Sequence, residues 1–421
     1  MPEPTTADAV RRIVAREVAE ARVVDMHTHL YDARFGGLLL WGVDELLTYH
    51  YLVAELFRAR PDLTYEGFWK LPKRVQADLV WGELFVKRSP VSEACRGVVT
   101  CLAALAIRPG PEALERARAY FKTAEIGAYT DRVFKLAGVE RVVMTNDPFD
   151  DAERAVWLSK DRGEPDPRFL PALRIDSLLV DWPGAAKKLR AMKCKIKGGA
   201  AGPDAAGVKA VRKFLADWAD RMRPVYLAAS LPPDFDYPGK GAGAKVLREC
   251  VLPFAEERKF PVALMIGVRK LVNPELRLAG DSLGLARVEA VEALSREWPG
   301  VCFFVTMLAR ENQHALCVAA RKFKNLMPFG CWWFLNDPSI IREMTAERLE
   351  LLGLSFVPQH SDARVLDQLV YKWRHARAVV AEVLGAKYAD LAAAGWPVET
   401  ADIRRDVARL LSGNFLEFAR A

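Results

Sequence analysis

The sequence predicts an α/β fold organised around a parallel sheet. Short apolar runs recur along the 421 residues, and amphipathic helical patterns lie between most of these runs. Strands that alternate with helices are joined by βαβ crossovers, which place neighbouring strands parallel to each other. Because eight runs are enough to close such a sheet on itself, we expect a (β/α)8 barrel of the TIM type, with its active site at the carboxyl ends of the strands.

The eight predicted strands are short apolar runs. In chain order they are residues 23–27, 139–145, 169–175, 224–230, 261–267, 301–307, 327–334 and 355–360. Helices are predicted between the later strands at residues 205–221, 244–258, 285–297, 313–323 and 339–352.

Two regions stand apart from this alternation. Residues 1–22 predict an N-terminal helix, for which Thr5 or Thr6 supplies the N-cap, and the barrel is assigned to residues 23–421. Residues 30–136 are too many for one crossover and are rich in helical pattern. They predict a helical insertion after the first strand, which we expect to cover the barrel mouth as a lid.

Composition narrows the class of protein. With 51% hydrophobic and 27% charged residues, the chain is an ordinary globular protein. No signal peptide and no apolar stretch of about 20 residues is recognisable, so we expect a cytoplasmic protein that does not enter a membrane. The seven cysteines include no Cys-x-x-Cys pair, which favours reduced thiols. The net charge is +7, but the lysines and arginines are interleaved with acidic residues and form no cluster, so no nucleic-acid partner is expected.

Two histidines follow the first apolar run in the segment Asp25-Met26-His27-Thr28-His29. Successive side chains on a strand alternate between its faces, so His27 and His29 point to the same side and can reach one divalent cation. A lone His-x-His is more often one packed and one solvated histidine. The metal interpretation therefore depends on what other strands bring to the same place.

Charged residues follow several of the other predicted strands. Asp147 follows the second strand, Arg174 and Asp176 end the third, Arg269 follows the fifth, and Asp362 and Arg364 follow the eighth. Taken singly, such residues are usually turn formers or members of surface ion pairs. Together they predict one polar site, because all barrel strands end at the same mouth.

Several segments form a pattern more specific than His-x-His. They are residues 24–30 (VDMHTHL), 47–52 (LTYHYL), 144–148 (MTNDP), 173–176 (LRID), 329–334 (FGCWWF) with Asn336 and Asp337, and 361–364 (SDAR). In these segments, which span nearly the whole chain, the sequence resembles the uronate isomerases of the amidohydrolase superfamily. It departs from the commoner pattern of that family at residues 228–231 and 262–266, where the histidines of strands 4 and 5 are absent. The resemblance is therefore to a divergent branch.

The resemblance implies a single divalent metal ion, usually zinc, held by His27, His29 and Asp362. It also implies a pocket for a small-molecule sugar acid. That pocket would use His50, Tyr51, Arg174, Trp332 or Trp333, and Arg364. Homo-oligomers are common in the family, and the substrate would be D-glucuronate or D-galacturonate, which the sequence does not distinguish.

Aldose–ketose isomerisation passes through an enediol and needs an acid, a base and a group that stabilises an oxyanion. We expect Tyr51 to transfer the proton, with its pKa lowered by Arg364, and Asp362 to accept a proton in turn. His50 or the metal would polarise the substrate oxygens. The substrate carboxylate suits a guanidinium fork, for which Arg174 is the first choice and Arg269 the second.

Two other functions remain open at this stage. One is a metal-dependent hydrolase, lyase or epimerase that acts on another acid sugar or a small carboxylate. Binuclear hydrolases need further histidines and often a bridging lysine, for which only Lys195 or Lys197 offers itself here. The other is a barrel that binds a sugar acid without turnover.

Overall fold

The computed structural model describes residues 6–160 and 163–420, and its centre is a seven-stranded parallel sheet. The strands are Val23–Thr28 (β1), Val139–Asn146 (β2), Phe169–Arg174 (β3), Leu227–Leu231 (β4), Val262–Ile266 (β5), Phe303–Met307 (β6) and Leu326–Pro328 (β7). They lie side by side in chain order, and every neighbouring pair is parallel. The predicted parallel α/β sheet is confirmed.

Helices lie before β1, between successive strands and after β7, and many of them lie between β1 and β2. The α-helices are Ala7–Glu20, Val43–Leu47, His50–Ala59, Tyr65–Trp69, Lys73–Trp81, Glu93–Ala104, Ala113–Thr123, Ile126–Ala137, Asp151–Leu158, Asp176–Val180, Trp182–Ala191, Ala205–Met222, Ala242–Val246, Leu252–Arg258, Val288–Glu297, Gln313–Ala320, Pro338–Leu352, Gln368–Ala393, Thr400–Ala408 and Asn414–Phe418. Shorter 3-10 helices are Ala33–Leu38, Pro274–Gly280, Arg310–Asn312 and Trp333–Leu335, and π-helical turns are Gly82–Val86, Leu247–Val251 and Arg409–Gly413. Two small antiparallel pairs join Gly198–Gly199 to Gly202–Pro203, and Val268–Arg269 to Ser282–Leu283.

The predicted strands 327–334 and 355–360 are the main errors of the sequence analysis. The seventh strand stops at Pro328, and residues 355–360 form only one bridge, between Phe329 and Val357. Proline has no N–H to donate to a ladder, and Gly330 turns the chain with φ +61. Trp333 then begins a 3-10 helix instead of continuing a strand.

The segment around residue 360 is nevertheless hydrogen-bonded to both ends of the sheet. On the β7 side, Val357 N donates to Pro328 O at 3.1 Å and Gly330 N donates to Val357 O at 2.8 Å. On the β1 side, Asp362 N donates to His27 O at 3.2 Å and His29 N donates to Ala363 O at 2.7 Å. We call this contact between β1 and residues 361–363 the seam.

Between β1 and β2 the chain is helical almost throughout, as the pattern of residues 30–136 predicts. The N-terminal helix Ala7–Glu20 is also present, and Thr6 Oγ1 accepts a hydrogen bond from Ala9 N at 3.3 Å. The alternative cap, Thr5, lies outside the described residues. None of the helices in the described part of the chain has both the length and the apolar character needed to cross a membrane.

The inside of the sheet holds its own apolar cluster, which includes Met26, Tyr226, Phe304 and Phe329. Phe415, from the helix Asn414–Phe418, packs against Tyr226 and Phe304 with ring centroids 6.2 and 5.6 Å apart. This packing fills one end of the interior. The polar side chains at the carboxyl ends of the strands therefore face a cavity only at the other end.

Replacing Gly330 with alanine should destabilise this end of the fold. A Cβ at Gly330 would lie 1.7 Å from His360 Nδ1, and φ is +61. We expect the free energy of unfolding to fall by about 3 kcal/mol, measured by chemical denaturation. Gly395 also has a positive φ, +86, but no atom within 4 Å, so Gly395→Ala should cost only about 1 kcal/mol. Equal losses in the two variants would contradict steric blocking by His360.

Candidate active site

Three predicted metal ligands meet at the seam. The nearest ligand atoms of His27, His29 and Asp362 all lie within 4.8 Å of one another. Asp362 Oδ1 is 3.6 Å from His27 Nε2 and 3.4 Å from His29 Nε2. Asp362 reaches this position with φ +54, a left-handed conformation that aspartate tolerates better than most residues.

Hydrogen bonds behind the histidines select the tautomer that a metal needs. Thr145 Oγ1 donates to Thr28 O at 2.9 Å, so it accepts from His29 Nδ1, which lies 3.2 Å away. Tyr226 OH donates to Met26 O at 2.5 Å and is 3.4 Å from His27 Nδ1. With each proton held on Nδ1, both Nε2 lone pairs face Asp362, which is the usual support for metal-bound histidines.

The charge state of the cluster also suits a cation. Burial, and then the neighbouring His29, lower the pKa of His27 to about 3, and burial lowers the pKa of His29 well below 6.5. Both imidazoles are therefore neutral at neutral pH. His27 Nε2 and Asp362 Oδ1 are buried without a hydrogen-bond partner among the described residues. Two neutral imidazoles and a carboxylate with such unpaired atoms fit a divalent metal ion.

Asp25 supports the seam, although the sequence analysis assigned it no role. It is fully buried, and its carboxylate accepts hydrogen bonds from Ser361 N at 3.1 Å and from Trp373 Nε1 at 2.8 Å. It also accepts a weaker one from His27 N at 3.4 Å. Burial raises the pKa of Asp25 to about 6. The only sequence signal was its place two residues before His27.

A cavity of about 350 Å³ opens beside the metal-ligand cluster, which is within the range of small-molecule sites. The predicted residues that line it are His29, His50, Arg174, Trp332, Trp333, Asp362 and Arg364. Asp147 and Asp176, which the sequence analysis placed at the polar barrel mouth, also line it, as do Tyr49 and Lys270, which that analysis did not select. His27 lies behind this surface and is 1% exposed.

The arginines near the cavity differ in how they are paired. Arg174 is held by Asp176 through two contacts of 3.1 Å, from Nε and Nη2. Arg364 lines the cavity, and its guanidinium has no ion pair within the described residues, so it is available to an anionic ligand. Arg269 is exposed on the short pair with Ser282 and lies outside the cavity lining.

Tyr51 packs behind His50, with ring centroids 4.4 Å apart, and is only partly buried. Burial raises the pKa of Tyr51 well above 10, and Tyr49 and Asp362 raise it further. The expectation of a lowered pKa for Tyr51 is therefore wrong. At neutral pH Tyr51 is a neutral phenol, which can donate a proton but is not a ready base.

The ligands of a binuclear hydrolase do not come together in the described ranges, 6–160 and 163–420. The cluster of His27, His29 and Asp362 is the one group of histidine, cysteine, aspartate or glutamate residues there with metal-binding spacing. His314 pairs with Glu347 at the surface, and His375 contacts Thr100. Lys195 and Lys197 precede the pair of two-residue strands that starts at Gly198.

Solved structures of other proteins share this architecture over nearly its whole length. A uronate isomerase from Bacillus halodurans C-125 is 51% identical, with a TM-score of 0.95, and the match covers 98% of this chain and 97% of that one. A uronate isomerase from Thermotoga maritima is 15% identical, with a TM-score of 0.78 and 97% of both chains covered. A glucuronate isomerase from Caulobacter crescentus is 14% identical, with a TM-score of 0.76, covering 100% of this chain and 95% of that one. No protein-family model and no curated protein matches the sequence.

Removing the Thr145 hydroxyl should weaken metal binding. In Thr145→Val the shape is kept, but His29 Nδ1 loses its acceptor, so we expect zinc affinity to fall about 10- to 100-fold in isothermal titration calorimetry. Thr306 provides the control, because it is fully buried on β6 and its hydroxyl has no partner within the described residues. Thr306→Val should leave zinc affinity unchanged. Equal affinity in wild type and Thr145→Val would exclude the tautomer argument.

Proposed function

Because the chain belongs to the uronate isomerase family, we propose that it is an aldose–ketose isomerase that interconverts an aldohexuronate, D-glucuronate or D-galacturonate, with its ketose. The observation that carries this proposal is a cavity where the metal-ligand cluster meets His50 and the unpaired guanidinium of Arg364, with Tyr51 packed behind His50. The 51% identity over nearly the full chain supports it. The two more distant structures support the fold alone.

The substrate enters as an anion, and the cavity offers cations to receive it. The guanidinium of Arg364 is unpaired within the described residues, whereas that of Arg174 is already engaged by Asp176. A carboxylate suits the planar guanidinium fork. We propose that Arg364 contacts the anionic substrate or the developing enediolate directly. We also propose that Arg174 binds the substrate carboxylate through the guanidinium nitrogen that Asp176 leaves free.

The proposed reaction is a pair of proton transfers. Asp362 accepts the proton from C2 on Oδ2, the C1=C2 bond forms, and O1 takes the phenol proton of Tyr51, which gives the enediol. In the second half, the Tyr51 phenolate takes the proton from O2, the C2=O bond forms, and C1 takes the proton from Asp362. Both residues end as they began, so the cycle needs no external acid or base. His50 stays neutral, because burial lowers its pKa well below 6.5, and it donates or accepts hydrogen bonds to the substrate oxygens.

We propose zinc as the metal, since two imidazoles and one carboxylate form a common zinc ligand set and leave a position for substrate. When bound, zinc would act as a Lewis acid that polarises substrate oxygens.

We also propose that residues 355–363 take the place of the eighth strand in a closed barrel, and that residues 30–136 cover the mouth of that barrel. Seven unpaired cysteines are consistent with the reducing cytoplasm.

The first experiment is an NMR time course in D2O with zinc present and a panel of hexuronates that begins with glucuronate and galacturonate. We expect ketose to appear with at least partial deuterium at the carbon that receives the transferred proton. The reason is that the proton held by Asp362 between the two transfers can exchange with solvent. The panel also identifies the preferred substrate. Binding without any turnover across the panel would refute the isomerase proposal and favour a non-catalytic sugar-acid barrel.

Tyr51→Phe tests the proton donor. Loss of the phenol O–H should lower kcat by about 10²- to 10⁴-fold with a much smaller change in KM, measured by initial rates on the preferred uronate. Tyr49→Phe is the matched control, since Tyr49 lines the cavity and its ring lies 5.1 Å from that of Tyr51. If Tyr49→Phe carries the loss instead, the role of proton donor passes to Tyr49.

A further inference from the structure

Lys372 is a buried cation that the proposed reaction does not use. It lies on the helix Gln368–Ala393, and its side chain is 4% exposed. Its Nζ donates to Glu93 Oε1 at 2.8 Å and to Asn336 O at 3.1 Å. A buried ammonium is costly, and an apolar pair of similar volume would often serve stability equally well. Its presence so close to the site therefore invites a functional explanation.

The surroundings of Lys372 connect it to the proposed proton donor. Its Nζ lies 5.5 Å from the centroid of the Tyr51 ring and 5.2 Å from that of Tyr371. An ammonium has three N–H groups, and two of them are directed to Glu93 and Asn336. The third remains for the ring faces. A cation within about 6 Å of a ring face attracts the electron density of that ring.

The same lysine also reaches the seam. Asn336, whose carbonyl Lys372 binds, donates from Nδ2 to His360 O at 3.2 Å and to Ser361 O at 3.0 Å. These two residues directly precede Asp362. Lys372 thus links the helix that carries Tyr51 to the segment that carries the proposed base and metal ligand.

A cation at this ring matters most when Tyr51 has given up its proton. The phenolate charge spreads into the ring, and in a buried environment a nearby positive charge stabilises it strongly. Burial raises the pKa of Tyr51 well above 10, and Glu93, which pairs with Lys372, is among the groups that raise it further, so a nearby cation is needed to offset both. Arg364 faces the cavity and is free to act on substrate, whereas Lys372 lies behind the tyrosine.

We propose that Lys372 is a positioning residue for the isomerisation: its ammonium holds the Tyr51 ring in place and stabilises that ring while the phenol proton is on the substrate. This inference rests on the proposed function. The proton itself moves only between Tyr51, the substrate oxygens and back, and Lys372 keeps its own three protons throughout.

A double-mutant cycle on the zinc-loaded protein tests the inference. Lys372→Met should lower kcat at least about tenfold and change KM less than about twofold, and Lys372→Arg should recover part of the loss because the charge returns. In the Tyr51→Phe background, Lys372→Met should lower kcat no further, since its effect passes through the phenol. Lys387→Met is the control, because Lys387 lies on the same helix and is also ion-paired, with Glu350.

Folding is monitored by thermal denaturation of every variant. If Lys372→Met does not fold, the pair Lys372→Gln with Glu93→Gln removes both buried charges and keeps polar partners. A smaller loss of kcat is then expected, because Glu93 opposes the charge on Tyr51, and this loss should again disappear in the Tyr51→Phe background. An equal loss of kcat with and without the Tyr51 hydroxyl would overturn the inference and leave Lys372 a structural residue. Absence of wild-type turnover on every hexuronate is a different outcome, which refutes the proposed function and with it this inference.

Discussion

The seam between β1 and residues 361–363 is the contact on which the site depends. Two backbone hydrogen bonds, from Asp362 N to His27 O and from His29 N to Ala363 O, join segments more than 330 residues apart in sequence. All three proposed metal ligands lie on these two segments. The site is therefore assembled by the same hydrogen bonds that tie the end of the sheet to its beginning, and a register slip there would separate the imidazoles from the carboxylate.

Buried polar groups hold the seam in place. Asp25 accepts from the Ser361 backbone and from the Trp373 indole, while Asn336 donates to the carbonyls of His360 and Ser361. Because an unsatisfied buried group costs about 1–3 kcal/mol, each of these contacts favours one arrangement over its alternatives. Rigid support of this kind is what keeps metal ligands in position before the metal arrives.

The cations Arg364 and Lys372 lie at different depths relative to the cavity. Arg364 faces the open space and can meet an anion directly, whereas Lys372 lies behind Tyr51 in an ion pair with Glu93. The proposed proton donor thus has one of these cations, Lys372, 5.5 Å from the centroid of its ring. Tyr51 itself remains protonated at rest, since burial opposes its charge, and this suits a group that donates first and recovers its proton later.

Sequence reading was most successful where the signal is local. The period of apolar residues predicted the parallel sheet and its helices, and the charged residues at the strand ends included several that line the cavity. It failed at residues 327–334 and 355–360. Their apolar residues were taken as strands, although the two segments contain two prolines and a glycine, which interrupt strand pairing. It also assigned Arg269 to the pocket, although that side chain lies on an exposed two-residue strand outside the cavity lining.

By itself the sequence determined the fold class, the His-x-His strand end and the chemical types available for catalysis, since these depend on neighbours within a few residues. Only the tertiary structure decided that Arg174 is engaged by Asp176 and Arg364 is not, that the pKa of Tyr51 rises instead of falling, and that Lys372 reaches the tyrosine ring. Pairing and pKa depend on distance and burial, and both are set by segments far apart in the chain.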